Sequence, residues 1–380
     1  MFSMPEKYIL EQYRHLPLSA KVIMTKNRIR EWYDYWNGDV YVSYSGGKDS
    51  TVLAHIVHET YPEVPLVFVN TGLEFPEIQS FARNMGAVFV RPEMNFSEVI
   101  SKYGYPLISK ENANVIEYAR GIKNGDRTGR KRNVSGSGEF KDWRRKALLG
   151  SEGFGKDSWF CKQKYLPLAQ ETCFKISHKC CDVMKKKPMK EYQKKHNTVP
   201  YLGTMTEESR VRERAWMKNG CNAFDKKVKT SQPMSFWTEQ DVLQYIKQNG
   251  IEIASVYGEI MTCDENGDFY DPMPGMECRL KCTGCNRTGC IFCGFGVHME
   301  KGETRFQRLA KTHPKQYEYC MQGGQWVDNP MYEPTAPLYD GDWRNWNPKK
   351  IWVPSKEGLG MKKVFDDINA IYGKDFIRYE

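Results

Sequence analysis

No window of this 380-residue chain reaches the roughly 18 continuous apolar residues that a membrane-spanning helix needs. The opening stretch, MFSMPEKYIL, lacks a basic segment followed by a long apolar run, so no export signal is expected there. Internal repeats are also missing. These absences lead to an expectation of a soluble, cytoplasmic protein with no membrane partner. What is present is ordinary globular material: 40% hydrophobic residues, enough for a substantial core in one large domain with an appendage or in two domains.

Twelve cysteines would suggest disulfides in a small exported protein. Here they cluster rather than spread, and metal or sulfur chemistry is the better expectation. The net charge of +9 is uneven. Arg120 to Lys146 holds ten Lys or Arg against Asp126, Glu139 and Asp142, a local balance of +7. Lys175 to Lys195 holds eight Lys against Asp182 and Glu191, a balance of +6. Such runs suit anionic partners, nucleic acid included, and equally suit a solvated helix face or loop.

The order of elements follows from periodicity. After a helical stretch over Lys21 to Trp36, VYVSY (40 to 44) reads as a strand and Ser50 to Thr60 as a helix. LVFVN (66 to 70) is again a strand, Glu77 to Met85 a helix and AVFV (87 to 90) a strand. Strands alternating with helices imply crossovers and a parallel sheet covered on both faces, an α/β doubly wound fold. VPYLG (199 to 203) adds a later strand, followed by a helix over 206 to 218 and another over Glu239 to Gln248, with Thr238 as its N-cap. The Gly-, Ser- and Arg-rich segment 121 to 138 reads as an insertion or lid. From about residue 261 the pattern gives way to Cys, Gly, Pro and Trp. The expected division is an N-terminal helical segment to residue 40, an α/β domain over 41 to 260 carrying a basic insertion at 121 to 160, and a Cys-rich region over 261 to 380.

The strand-to-helix turn carries SYSGGKDSTVLAHIV, residues 43 to 57. A glycine pair here lets backbone approach an anion, while the first free N–H groups of the helix and its dipole point at that anion. A Walker A loop is excluded by spacing: Val42 stands where its first glycine should be, and Asp49 where Ser or Thr should follow the lysine. In CTGCNRTGCIFCGFG, Cys282, Cys285, Cys290 and Cys293 form two C-x-x-C pairs four residues apart. Thiolates at that spacing can converge on one centre. The residues themselves leave zinc and iron-sulfur equally open, with free thiols a third reading.

The run SGGKDS resembles the pyrophosphate loop of the N-type ATP pyrophosphatases, in the adenine nucleotide alpha-hydrolase-like superfamily. FVNTGLEFPEI (68 to 78), GTMTEESRVRERAW (203 to 216) and PMSFWTEQDVLQYI (233 to 246) resemble segments of its phosphoadenosine phosphosulfate (PAPS) reductase family. The resemblance implies that Ser45, Gly46, Gly47, Lys48, Asp49 and Ser50 hold terminal phosphates, with Asp49 near a magnesium ion. Asn70, Thr71 and Gly72 would border the nucleotide, and Arg212, with Arg210 nearby, would meet phosphate or sulfate. Lys48, Asp49 and Arg212 are the expected catalytic residues. The chain departs from the family at Asn70, where Asp is common, and at Met205, where Arg is.

Adenylyl sulfate reductases are similar in joining a Cys-Cys pair to a later C-x-x-C at a 4Fe-4S cluster. By that resemblance Cys180, Cys181, Cys290 and Cys293 are ligands, with Cys285 a further candidate and Cys282 in reserve; Zn²⁺ is the alternative. The remaining cysteines read as structural. So do His178 and His298, while Trp143, Trp159, Trp216 and Trp237 read as core before they read as stacking platforms. Lys185 to Lys187 suit compensation of a cluster's charge and solvation equally.

Reductases of this family use a nucleotide already cleaved, and their loop is often degenerate. Here it is intact, which implies ATP, cut between its α and β phosphates. Such reductases also attack with a cysteine close to the C-terminus, whereas the last cysteine here is Cys320. The expectation is therefore an ATP pyrophosphatase that adenylylates an acceptor for sulfur transfer, similar to the enzymes of DNA phosphorothioation or tRNA thiolation. DNA or tRNA would bind through basic segments such as RTGRKR (127 to 132), and a cysteine desulfurase would donate sulfur. The alternatives are a PAPS or adenylyl sulfate reductase, and a nucleotide-dependent nucleic-acid-binding module without turnover.

Overall fold

The computed structural model describes residues 7–120, 147–148, 161–226, 228–264, 266–271, 279–332, 334 and 346–380. The insertion at 121 to 138, its RTGRKR run, Trp143 and Trp159 lie outside the described residues. The chain divides into two compact units, one of Met1–Pro92 with Lys186–Cys290, the other of Glu93–Lys185 with Ile291–Glu380.

The first unit opens with helices α1 (Lys7–Arg14) and α2 (Leu18–Tyr35) and continues β1 (Val40–Tyr44), α3 (Lys48–His58), β2 (Leu66–Val69), α4 (Pro76–Asn84) and β3 (Val88–Val90). After the second unit's insertion come α5 (Lys187–His196), β4 (Val199–Leu202), α6 (Arg210–Asn219), β5 (Asn222–Ala223), β6 (Thr230–Ser231) and α7 (Glu239–Asn249). A hairpin of β7 (Ile260–Cys263) and β8 (Arg279–Cys282) follows.

The six-stranded sheet runs β3-β2-β1-β4-β6-β5. All pairs are parallel except β5–β6, with Tyr44 opposite Phe68 on one side of β1 and Ser43 opposite Leu202 on the other. Val40, Tyr41 and Val42 are buried in succession, as expected of a central strand covered on both faces. β1, β2 and β3 step outward in one direction, while β4 returns to the opposite flank of β1. That reversal makes the β1–β4 boundary the topological switch point, where the ends of parallel strands leave a crevice.

Two local details position the crevice. Thr238 and Asp241 form a capping box at the start of α7, as the N-cap expectation required, and buried Lys21 bonds Asp241 at 2.6 Å, tying α2 to that cap. The expected helix over 206 to 218 is divided: Thr206–Glu208 makes a 3₁₀ turn, and α6 begins only after Ser209, whose side chain caps the Arg212 amide. Extended backbone at Ser209 ends the first turn and lets its hydroxyl start the second. Trp216 and Trp237 lie in the core of this unit, and the Trp237 indole N–H donates to Thr25 at 2.9 Å.

The second unit contains helices Phe96–Tyr103, Lys110–Ala119 and Met361–Tyr372. Its strands form small pairs: Leu107–Ile108 runs parallel to Gly294–Phe295, and Gln325–Asp328 antiparallel to Lys350–Val353. Among the described residues no helix is long and apolar enough to cross a membrane.

Candidate functional site

Gly46 adopts φ +69°, a left-handed conformation that glycine reaches without strain, and a Cβ there would lie 2.8 Å from Ile78 Cγ2. Gly47 is the N-cap of α3 and offers no side chain to the first turn's amides. Those amides lie at the positive end of the helix dipole without a cap from Gly47. The serines shape the turn: Ser45 Oγ and Ser50 Oγ are 3.0 Å apart, and the Ser50 and Thr51 hydroxyls both donate to the Gly47 carbonyl, at 2.9 and 3.0 Å. Across the switch point, a Cβ on Gly203 would come within 3.1 Å of the Asp49 carbonyl, so β4's exit packs tightly against this turn.

The side chains of the loop do different things. Lys48 Nζ is buried, 2.9 Å from Glu239 Oε1 and 2.9 Å from the Asn286 carbonyl, with the Tyr257 ring beneath it. Burial works against its charge, and Asp49 and Glu239 more than offset that, leaving the ammonium pKa raised. Asp49 Oδ1 is shut off from solvent without a hydrogen bond, its nearest cation being Lys48 Nζ at 4.0 Å. Burial pushes the Asp49 pKa up, against the pull of Lys48, Arg287 and Arg212. A carboxylate oxygen left unsatisfied in this way suits a divalent cation.

The expected nucleotide border forms the turn after β2. Thr71 N–H and Oγ1 both bond the Glu74 carboxylate, at 3.0 and 2.8 Å, and the Gly72 amide donates to Asn70 Oδ1 at 3.1 Å. Because β1 and β2 are parallel neighbours, this turn and the SGGKDS loop leave the same end of the sheet. Arg212 ion-pairs with Glu208 and is half-buried; Arg210 is exposed. Met205, at the position where the family often has Arg, is buried in the core.

The sequence reading missed Glu239, Tyr257, Asn286, Arg287 and Thr288. The Lys48 amide donates to Tyr257 Oη at 3.4 Å, and that hydroxyl is 2.9 Å from Thr288 Oγ1. Glu239 and Asn286 also line a cavity of about 200 Å³ with Cys263, Arg279, Lys281 and Cys282.

The cysteines fall into separate groups. Cys282 and Cys285, both buried, lie in the first unit, where burial pushes the Cys282 thiol up. Cys290 is the last residue of that unit. Cys180, Cys181 and Cys293 belong to the second. There a hydrogen bond from Cys180, helped by Lys110 and Lys185, pulls the Cys181 pKa below the ordinary thiol value. The thiolate is the form that a metal binds, so a thiol whose pKa is lowered fits a thiolate-ligated centre. Cys293 is pushed up by burial, with Arg305 acting the other way. Among the described residues no three His, Cys, Asp or Glu are gathered as a ready ligand set. His178 is 3.2 Å from Glu117, and His298 stacks on Phe376.

A doubly wound α/β sheet with a glycine-entered helix N-terminus at its switch point is the architecture in which open α/β sheets place their ligand crevice. The family model for the phosphoadenosine phosphosulfate reductase domain matches residues 39–120 and 161–294, and the chain belongs to that family. An uncharacterized protein of Methanocaldococcus jannaschii is 22% identical over 304 residues, covering 79% of this chain and 50% of the relative. The chain thus spans about half the length of the curated relative it matches. A crystal structure of phosphoadenylyl-sulfate reductase from Candida auris, in a phosphate complex, aligns with a TM-score of 0.32 at 12% identity, covering 67% of this chain and 92% of that one.

Proposed function

We propose that this chain binds ATP at the SGGKDS loop and adenylylates an acceptor for sulfur transfer. The observation that carries the reading is the first turn of α3, which receives no side-chain cap from Gly47, is entered through Gly46 at φ +69° and is flanked by the unsatisfied Asp49 Oδ1. An acceptor oxygen attacks the α phosphorus, the bond to the β-phosphate oxygen breaks, and its electrons leave with pyrophosphate. Loop amides stabilise the charge growing on that leaving group. Magnesium bound at Asp49 would supply further charge neutralisation. Cys180, Cys181, Cys290 and Cys293, with Cys285 a further candidate, would hold a 4Fe-4S cluster as sulfur carrier or organiser, or alternatively Zn²⁺. The exposed lysines of α5 (Lys187, Lys190, Lys194 and Lys195) suit a nucleic-acid acceptor such as DNA or tRNA, and a cysteine desulfurase would supply the sulfur.

The family description favours a second reading, reduction of PAPS or adenylyl sulfate to sulfite. An assay with ATP and PAPS side by side separates the two: pyrophosphate release from ATP supports the first, and sulfite release from PAPS with no turnover of ATP supports the second. Metal and sulfide analysis of anaerobically purified protein tests the cluster. Iron with visible absorbance, lost in Cys181→Ser, is expected; colourless protein containing zinc points to the other metal.

A further inference from the structure

We propose that Arg287, with the hydroxyls of Tyr257 and Thr288, forms a phosphate-binding wall facing the SGGKDS loop, delivered by the segment between Cys285 and Cys290. The inference rests on the nucleotide-binding reading and adds to it residues outside the SGGKDS run.

Three observations place the wall. The segment is fastened on both sides of Arg287: the Asn286 carbonyl accepts from Lys48 Nζ at 2.9 Å, and Thr288 Oγ1 lies 2.9 Å from Tyr257 Oη. Its approach is fixed further back, where the amides of Thr283, Gly284 and Cys285 donate to the carbonyls of Glu259, Tyr257 and Val256, each at 2.9 Å. A Cβ on Gly284 would stand 2.4 Å from the Val256 carbonyl, so only glycine allows this lacing without a shift. The hydroxyls then stand over the loop itself: a Cβ on Gly47 would lie 3.2 Å from Tyr257 Oη and 3.9 Å from Thr288 Oγ1.

Arg287 is exposed and makes no hydrogen bond or ion pair among the described residues. It is nevertheless near enough to Asp49 and Arg212 to act on the charge of both. Two guanidiniums near one another beside the N-terminus of α3 match an oxyanion, and planar guanidinium donors bind phosphate in two-pronged fashion.

The test uses the full chain and calorimetric titration with Mg-ATP, inorganic pyrophosphate and adenosine. Arg287→Gln is expected to weaken ATP and pyrophosphate binding by about 10- to 100-fold, the scale of one charge-assisted contact, and to leave adenosine unchanged. Arg287→Lys should recover part of the loss, and the thermal midpoint should stay at the wild-type value because the side chain is exposed. Tyr257→Phe and Thr288→Val should weaken the same two ligands less. If the wild type binds pyrophosphate and Arg287→Gln binds it equally well, the wall is wrong and the loop stands. If the wild type binds ATP no better than adenosine, the loop reading fails and this inference falls with it.

Discussion

Lys48 Nζ lies 2.9 Å from Glu239 Oε1, so the one lysine of the glycine-rich loop is held by a carboxylate from the start of α7, 191 positions along the chain. The pair is uneven: the lysine is 4% exposed and the glutamate 38%. Removing the lysine leaves Glu239 wet enough to rehydrate, so Lys48→Met should cost about 1–2 kcal/mol in urea unfolding, below the 3–5 kcal/mol typical of fully buried pairs. Phosphate would compete with Glu239 for the ammonium. Glu239→Gln is therefore expected to bind pyrophosphate as well as the wild type or more tightly, and Lys48→Met about tenfold less tightly, on the scale of one charged contact. Equal losses in the two variants would mean that Lys48 acts only as a tether.

Gly46→Ala combines two penalties, a side chain at φ +69° and a Cβ 2.8 Å from Ile78 Cγ2. Together they should destabilise by about 1–3 kcal/mol and abolish nucleotide binding. Adding Ile78→Ala relieves the contact but not the backbone strain. Calorimetry on the double variant should still show no ATP binding; full recovery would mean that the turn tolerates a side chain.

Asp49 gives a pH signature. Its folded pKa is raised by burial, so its contribution to stability is fully present below the unfolded value and is lost as pH rises through the folded one. Without nucleotide, Asp49→Asn should match or exceed wild-type stability near neutral pH, and the gap should close at about pH 4, near the ordinary carboxylate pKa. The same variant should lose the Mg²⁺ dependence of ATP binding. An unchanged Mg²⁺ dependence would remove Asp49 from the cation's shell.

In the second unit, Arg120 is a fully buried guanidinium with no carboxylate partner among the described residues. It donates to the carbonyls of Leu168, Ala169 and Phe174 and to Thr172 Oγ1, and stacks on Trp346 with 4.3 Å between guanidinium carbon and ring centre. Arg120→Met takes the guanidinium donors from the Ala169 and Phe174 carbonyls, while Thr172 still serves Leu168, and should cost about 3 kcal/mol or more. Arg120→Lys should rescue little, because an ammonium has three donors and cannot follow the planar fork. A thermal midpoint within a degree or two of wild type in either variant would contradict this role.

The sheet was legible because β1 and β2 are short, valine-rich apolar runs and β4 a short apolar one, and the loop because its six residues are contiguous. Contributors brought in by tertiary approach were not legible. Asn286 reaches Lys48 across 238 positions, and neither residue's neighbours hint at the meeting. Lys48 reads as a free phosphate-binding charge in the sequence; only packing reveals Glu239 beside it. Arg120 looks like one more member of a basic run, yet its helix buries it among carbonyls while the lysines of α5 face solvent. The break at Ser209 was hidden because a capping serine inside an apolar-periodic stretch resembles an ordinary polar position.

In the proposed reaction the α3 N-terminus cups the β and γ phosphates of an ATP that is cleaved at its α phosphorus. The most direct test incubates the full-length chain, purified anaerobically, with Mg²⁺ and α-³²P- or γ-³²P-labelled ATP and a nucleic-acid acceptor. Radiolabelled pyrophosphate from the γ-labelled ATP, and label in AMP or on the acceptor from the α-labelled ATP, both absent in Gly46→Ala, is the predicted result. Orthophosphate in place of pyrophosphate, or turnover that survives Gly46→Ala, would contradict it.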